Sequence, residues 1–369
     1  MRILHLYPAD PDDPFGPEAA VRLHEIARRL AQHHAVSVVA PASAGPASET
    51  VRDGVRYHRL PLGRWGRLGH AVALARWLRR QPADLWIDEL VPGHAVPWGR
   101  WLWPAGRRVI ASLHGVTPAV ERPRPWATLR GCRDVIVPSA SIRERVEALP
   151  GTRRIEIVPN GVDDALFRLP AQRGSGLLHL GRVDLRASGV DLLLQAYARV
   201  PKAQREPLTL AGPVHDPEGL QSLLQQAGLA GQVQVLGACD ARKRLQLLAE
   251  CRAVVVPARR DGSLLAVAQA NAAGRPVVVW DQAPLAEAAS RACLRVPPFD
   301  VPAFAQALSD VLQASRDELQ LRGLHARAHA RRYDWDSAAD TQERFYLRCL
   351  DDPAADGLLS VPESFDATG

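Results

Sequence analysis

Residues 256–278 read VPARRDGSLLAVAQANAAGRPVV. The stretch continues an apolar strand, CRAVVVPA (251–258), into a polar loop and then a helix stopped at Gly274. A second apolar strand, RPVVVWD (275–281), follows. Two strands joined through a helix lie parallel in one sheet, because an antiparallel partner needs only a short turn. Asp261 stands where the helix begins, and Gln269 follows eight residues later, about two turns on. Two oxygen-bearing side chains near the amino end of a helix mark a candidate ligand site.

The same unit recurs along the chain. In the first half the apolar runs RILHLY, AVSVVA, VRYHRL, DLWIDE, RRVIASLHG, RDVIVPS and IEIVPN read as strands. A helix over 18–32 carries apolar Val21, Leu23, Ile26, Ala27 and Leu30 at near-helical spacing. In the second half LLHLGRV, PLTLAGPV, QVQVLGAC and the two strands of the opening stretch alternate with helices near 189–200, 217–228, 241–250 and 263–273. Runs of Val, Leu and Ile without strict alternation belong to parallel sheets covered by helices on both faces. The expectation is an α/β protein of two doubly wound domains that face each other, joined near FRLPAQRGSG (167–176).

A length of 369 residues suits two such domains, and 47% hydrophobic with 23% charged residues suits two buried cores. No apolar run reaches the length of a membrane span, and MRILHLYPAD reads as a strand rather than a secretion signal. The five cysteines lack paired or metal-ligand spacing, which points to reduced thiols in a cytoplasmic protein. The net charge of +6 is uneven: residues 1–165 hold 23 Arg against 17 acidic residues, whereas the remainder holds 23 basic against 23 acidic. That excess fits an acidic acceptor or an anionic membrane surface. The Trp- and Arg-rich segment 63–81 is an amphipathic helix candidate for such a surface, although a packed helix with a solvated basic face explains it better. No nucleic-acid-binding module appears, and the basic charge is diffuse.

Ligands in open parallel sheets bind beyond the carboxyl ends of the strands. Gly16, in the loop after the first strand, would let backbone amides approach a phosphate or sugar. His114 ends the strand VIASLHG, where it can reach a cleft or simply be hydrogen-bonded. Arg182 follows the first strand of the second half, where its planar fork suits a diphosphate unless a neighbouring carboxylate claims it; Ser188 is a candidate cap of the next helix. Asp261 or Ser263 would cap the helix of the opening stretch, with Gln269 positioned to meet a hydroxyl.

In order along nearly the whole chain, these segments resemble the glycosyltransferases of family 4. The glycine loop and first helix (FGPEAAVRLHEIARRLAQHHAVSVVAP), IEIVPNGVDDALF at the end of the first domain, and LLHLGRVDLRASGVDLLLQAY at the start of the second carry the likeness. LTLAGP, VQVLGACD, PVVVWDQAPLAE and the terminal RRYDWDSAADTQERFYLRCL extend it. The resemblance implies a GT-B arrangement: an acceptor-side Rossmann-like domain over 1–168 and a donor domain over 174–333. A terminal helix over 334–352 would cross back to the first domain, followed by a loosely ordered tail, 353–369. It further implies retaining transfer of a sugar from a nucleotide-sugar donor to a glycan or lipid-linked acceptor in the building of cell-surface polysaccharide or glycoconjugates. No metal or other cofactor is implied, and the site is cytoplasmic or peripheral at the inner face of the membrane.

Residue by residue, Arg182 takes the position that holds the donor diphosphate, and Ser188 replaces the lysine usual just before the helix glycine. Asp261 replaces the first glutamate of a Glu-x7-Glu motif, and Gln269 the second, which grips the ribose. Gly262, Ser263 and Leu264 stand where Gly-Phe-Gly is common, while Gly16, His114 and Cys239 fall at the glycine-loop, cleft-lining and base-side positions. Asp261 is one methylene short, a displacement of roughly an ångström that can lower a rate on the order of a hundredfold. Gln269 forfeits charge assistance, and Ser188 removes a cation for which Arg186, Arg259 or Arg260 are candidate replacements. A working transferase and a catalytically impaired homologue serving as a partner or regulatory subunit are the two functions these changes leave open.

Overall fold

The computed structural model describes residues 1–12, 19–42, 46–61, 66–91, 108–115, 129, 132–149, 153–170, 174–259 and 264–352. The first half contains strands β1 (Arg2–Leu6), β2 (Ala35–Pro41), β3 (Ser48–Arg52), β4 (Val55–Leu60), β5 (Leu85–Leu90), β6 (Val109–Leu113), β7 (Asp134–Val137) and β8 (Arg154–Ile157). They form one sheet in the order β3-β4-β2-β1-β5-β6-β7-β8. Helices α1 (Ala19–Leu30), α2 (Gly66–Leu78), α3 (Ala140–Glu147) and α4 (Asp164–Phe167) accompany them. The second half builds a sheet in the order β11-β10-β9-β12-β13-β14 from β9 (Leu177–Leu180), β10 (Leu208–Ala211), β11 (Val233–Gly237), β12 (Ala253–Val256), β13 (Val277–Trp280) and β14 (Leu294–Val296). Its helices are α5 (Val190–Arg199), α6 (Pro217–Gln226), α7 (Ala241–Glu250), α8 (Leu264–Ala272), α9 (Leu285–Ala288), α10 (Val301–Gln313), α11 (Arg316–Ala330) and α12 (Trp335–Leu350).

The central strands are largely apolar on both faces because helices cover both. β9, β12 and β13 bury every residue. All strand pairs in the second sheet run parallel. The first sheet departs from the all-parallel expectation at one edge, where β3 pairs antiparallel with β4. Asp53 and Gly54 cause this, with φ of 50° and 79°. Both are left-handed, as the two-residue hairpin turn that suits twisted strands requires. β3 is exposed throughout, so no hydrophobic pattern announces it. Along α1, Leu23, Ile26, Ala27 and Leu30 are buried as their spacing predicts, but Val21 is exposed and Arg22 is buried in its stead.

The two halves are held together through the crossing segment. Val162 donates to the carbonyl of Tyr333 at 2.9 Å, and Gly161 lies beneath Trp335, where an added Cβ would sit 2.4 Å from the indole ring. From there α12 packs along α1. Arg29 pairs with Asp336 at 2.5 Å and His34 with Glu343 at 2.6 Å. Leu265, in the first turn of α8, joins the first domain's apolar cluster with Tyr7 and Trp335. The tail 353–369 lies outside the described residues.

Candidate active site

The carboxyl ends of the strands in the two sheets supply the candidate residues. In the second domain, Arg182 is the second residue beyond β9 and is exposed; among the described residues no carboxylate pairs with it. Its loop is shaped by Asp184, whose Oδ1 accepts the amides of Arg186 at 2.8 Å and Ala187 at 2.6 Å. His179, buried in β9, reaches the carbonyl of Arg182 from beneath at 3.3 Å. Gly189 then takes a left-handed φ of 69° and serves as the cap residue of α5, with no side-chain cap bond. Ser188 is therefore not the helix cap, contrary to the sequence expectation: the turn is closed by Asp184 and by the conformational freedom of glycine.

This loop is braced against the end of β12. A Cβ on Gly189 would lie 1.9 Å from the carbonyl oxygen of Pro257. Arg259 donates to the carbonyls of Leu185 at 3.2 Å and Arg186 at 2.8 Å, and its fork grips Asp191 at 2.6 and 2.7 Å. The structure thus sets the Arg182 loop beside the strand end that leads into α8. It also removes Arg259 from the candidate replacements for the missing cation, since a bidentate carboxylate partner offsets its charge. Arg186 is exposed in the same loop.

Gly16, Arg260, Asp261, Gly262 and Ser263 lie outside the described residues. Leu264 and Gln269 are half-buried on α8. Leu264 faces a cavity of about 470 Å³ between the domains, with Ser139, Asn160, Glu287, Arg332 and Tyr333 also on its walls. Cys239, half-buried in the loop after β11, directs its thiol to the carbonyl of Gly237 at 3.4 Å.

In the first domain His114 sits just past β6, with the Nε2 edge of its ring turned toward β5. Its Nε2 is 2.6 Å from Oε2 of Glu89, and the other carboxylate oxygen of Glu89 is 2.6 Å from Nδ1 of His5. The three side chains are 4%, 3% and 0% exposed, in the order His114, Glu89 and His5. Burial works to raise the Glu89 carboxyl, but the hydrogen bonds from His114 and His5 prevail and hold it well below the usual carboxylate range. Arg22 faces the same small space with Ser112 and Gln342. Burial pulls its guanidinium down to about 10 against the opposing pull of Glu89, and it donates to Asn160 Oδ1 at 3.0 Å. Asp88, next to Glu89, is pushed up to about 7 by burial and by the Glu89 charge.

The sequence reading did not single out Glu89, His5, Arg22 or Glu287. The first two had a visible signal, a charged or polar residue inside an otherwise apolar strand, which is the informative exception in a core. Among the described residues no group of three or more His, Cys, Asp and Glu side chains is arranged to hold a metal ion, and no helix is long and apolar enough to cross a membrane.

Residues 19–166 match the family described as Glycosyltransferase Family 4, and residues 174–314 the one described as Glycosyl transferases group 1. The chain belongs to these glycosyltransferases. It is 27% identical to a D-inositol 3-phosphate glycosyltransferase of Xylanimonas cellulosilytica, over 92% of this chain and 94% of that one. Its fold is that of the sucrose-phosphate synthase of Thermosynechococcus elongatus, with a TM-score of 0.78 at 18% identity, covering 94% and 99% of the two chains. Anabaena HepE, solved in complex with UDP and glucose, superimposes with a TM-score of 0.73 at 18% identity over 94% of this glycosyltransferase and 100% of HepE. The two facing parallel-sheet domains are the GT-B arrangement.

Proposed function

We propose that this glycosyltransferase moves a sugar, with retention of configuration, from a nucleotide-sugar donor to a glycan or lipid-linked acceptor in the synthesis of cell-surface polysaccharide or glycoconjugates. The observation that carries the reading is the exposed Arg182 guanidinium at the carboxyl end of β9, on a loop braced against the approach to α8. A fork of donors there suits a diphosphate, and stabilising the departing charge is the main way such a site lowers the barrier. The donor diphosphate lies against Arg182 and the amino end of α8, and closure of the domains around the cavity beside Leu264 excludes water. The departing phosphate oxygen takes the acceptor proton, so neither a covalent side-chain nucleophile nor a metal is part of the reading. The acceptor enters from the first domain, whose basic excess suits an anionic or lipid-linked partner at the inner face of the membrane.

Titration with UDP-, GDP- and ADP-sugars tests this. One donor is expected to raise the melting temperature and to be slowly hydrolysed, and Arg182→Ala is expected to weaken its binding about tenfold or more. Product configuration is read by NMR. A second reading, a catalytically impaired homologue acting as a partner or regulatory subunit, draws support from Ser188, Gln269 and the commitment of Arg259 to Asp191. Binding by no nucleotide in the panel would select it.

A further inference from the structure

Three adjacent strands at the centre of the first sheet, β1, β5 and β6, bring His5, Glu89 and His114 together. The register sets Glu89 opposite Ser112, so that the carboxylate lies between the two flanking strands, one oxygen toward each histidine. An ionised carboxylate only accepts hydrogen bonds. Each ring nitrogen that faces it at 2.6 Å therefore carries a proton: Nε2 of His114 and Nδ1 of His5. We propose that Glu89 is a positioning residue for His114: it fixes the plane and tautomer of that ring, so that Nδ1 is the nitrogen His114 offers to a bound sugar or acceptor hydroxyl. The proposal rests on the reading of the cleft as a nucleotide-sugar transferase site.

Stability alone is a poor reason for this arrangement. Removing a carboxylate from water is expensive, and a buried charged network often contributes no more than an apolar filler of the same volume. What the network does supply is orientation, as a partner on one ring nitrogen decides what the other can do. Among the described residues the groups facing Glu89 are Arg22 from α1, Ser112 from β6 and Gln342 from α12, with Tyr7, Asp88 and Tyr346 within electrostatic reach. Only Arg22 among them brings a fixed positive charge, and it donates to Asn160 in the segment between the domains. The carboxylate is thus balanced without giving up either histidine.

Ring-nitrogen NMR of histidine-labelled protein tests the assignment without substrate. At mildly alkaline pH His114 is expected to be a single Nε2–H tautomer and His5 a single Nδ1–H tautomer, the resonances being assigned through His114→Asn and His5→Asn. A mixed or Nδ1–H state of His114 overturns the proposal, and this arm needs no folded Glu89 variant. Glu89→Gln can accept from one histidine but presents an amide donor to the other, forcing one ring to change tautomer. It is expected to lower kcat about tenfold or more while donor affinity stays within about threefold. An unchanged kcat in a variant whose His114 tautomer has changed, or a loss confined to donor affinity, also overturns it. If no sugar nucleotide binds or turns over with the wild type, the functional reading fails, and the tautomer measurement still decides what Glu89 holds.

Discussion

The Glu287 carboxylate lies 2.9 Å from the amide of Ser141 and 3.0 Å from that of Ala140, so a side chain of the second domain closes the amino end of α3 in the first. Unpaired amides and the helix dipole both favour an anion there, and Ser139 supplies the ordinary cap bond beside it, to Ile142. The carbonyl of Glu287 accepts in turn from Arg332 and Tyr333 on the crossing segment, at 3.2 and 3.4 Å. Glu287→Ala should therefore loosen the domains relative to each other and cost about 1 kcal/mol, discounted for exposure. Small-angle scattering and thermal melting read the two effects. An unchanged scattering profile with an unchanged melting temperature would show that this contact holds nothing.

Gly189 and Gly228 separate conformational strain from steric conflict. Both have left-handed φ, 69° and 64°, but an added Cβ meets the Pro257 carbonyl at 1.9 Å in the first case and nothing within 4 Å in the second. Gly228→Ala should cost about 1 kcal/mol, the price of the left-handed backbone. Gly189→Ala adds a clash with backbone that cannot turn aside, for a total of about 2 kcal/mol or more, and should also push the Arg182 loop away from β12. Urea midpoints of the two variants decide it, and equal losses would refute the close approach.

The architecture was legible wherever burial alone shapes the sequence. AVVV in β12 and VVVW in β13 are apolar throughout because both faces are covered. The antiparallel β3 is hidden in the sequence, as its five residues are exposed and only the Asp53–Gly54 turn signals it. Two further helices of the second domain carry their start signals in the chain: Asp300 caps α10, and Ser315 caps α11 by accepting the amide of Glu318. The candidate site was legible only where its residues are neighbours in sequence, as in the loop from Arg182 to Gly189. His5, Glu89 and His114 are far apart along the chain and meet because β5 inserts between β1 and β6, an order that no local pattern encodes. The same holds for Glu287 and Ser141.

The proposed donor site makes Ser188→Lys a gain-of-function test. Ser188 is half-buried in the loop that carries Arg182, and the nearby Arg259 charge is offset by Asp191. A lysine there supplies a second cation to a diphosphate held by Arg182. It should tighten sugar-nucleotide binding about tenfold, the worth of one charge-assisted hydrogen bond. Gln269→Glu on α8 should add a smaller gain through the ribose hydroxyls. Calorimetric titration measures both. Weaker or unchanged binding in both variants would place the diphosphate away from this loop.

Asp88 and Glu89 are adjacent on β5 and respond to pH in opposite directions. Glu89 is depressed in the folded protein, so its contribution to stability is present above its unfolded value and is lost as pH falls. Asp88 is raised to about 7, first by burial and then by the Glu89 charge. The folded state then binds more protons at Asp88 than the unfolded state from its ordinary value of 3.8 up to about 7, and stability falls as pH rises through that window. Asp88→Asn removes the ionisable group without changing the shape of the side chain. It should stabilise the protein above about pH 7 and make little difference near pH 4, so that the gap between variant and wild type widens across the interval. Urea unfolding at about pH 5 and about pH 8 measures that gap. A gap that stays constant, or narrows on going alkaline, would mean that Asp88 is ionised throughout and is not pressed by its neighbour.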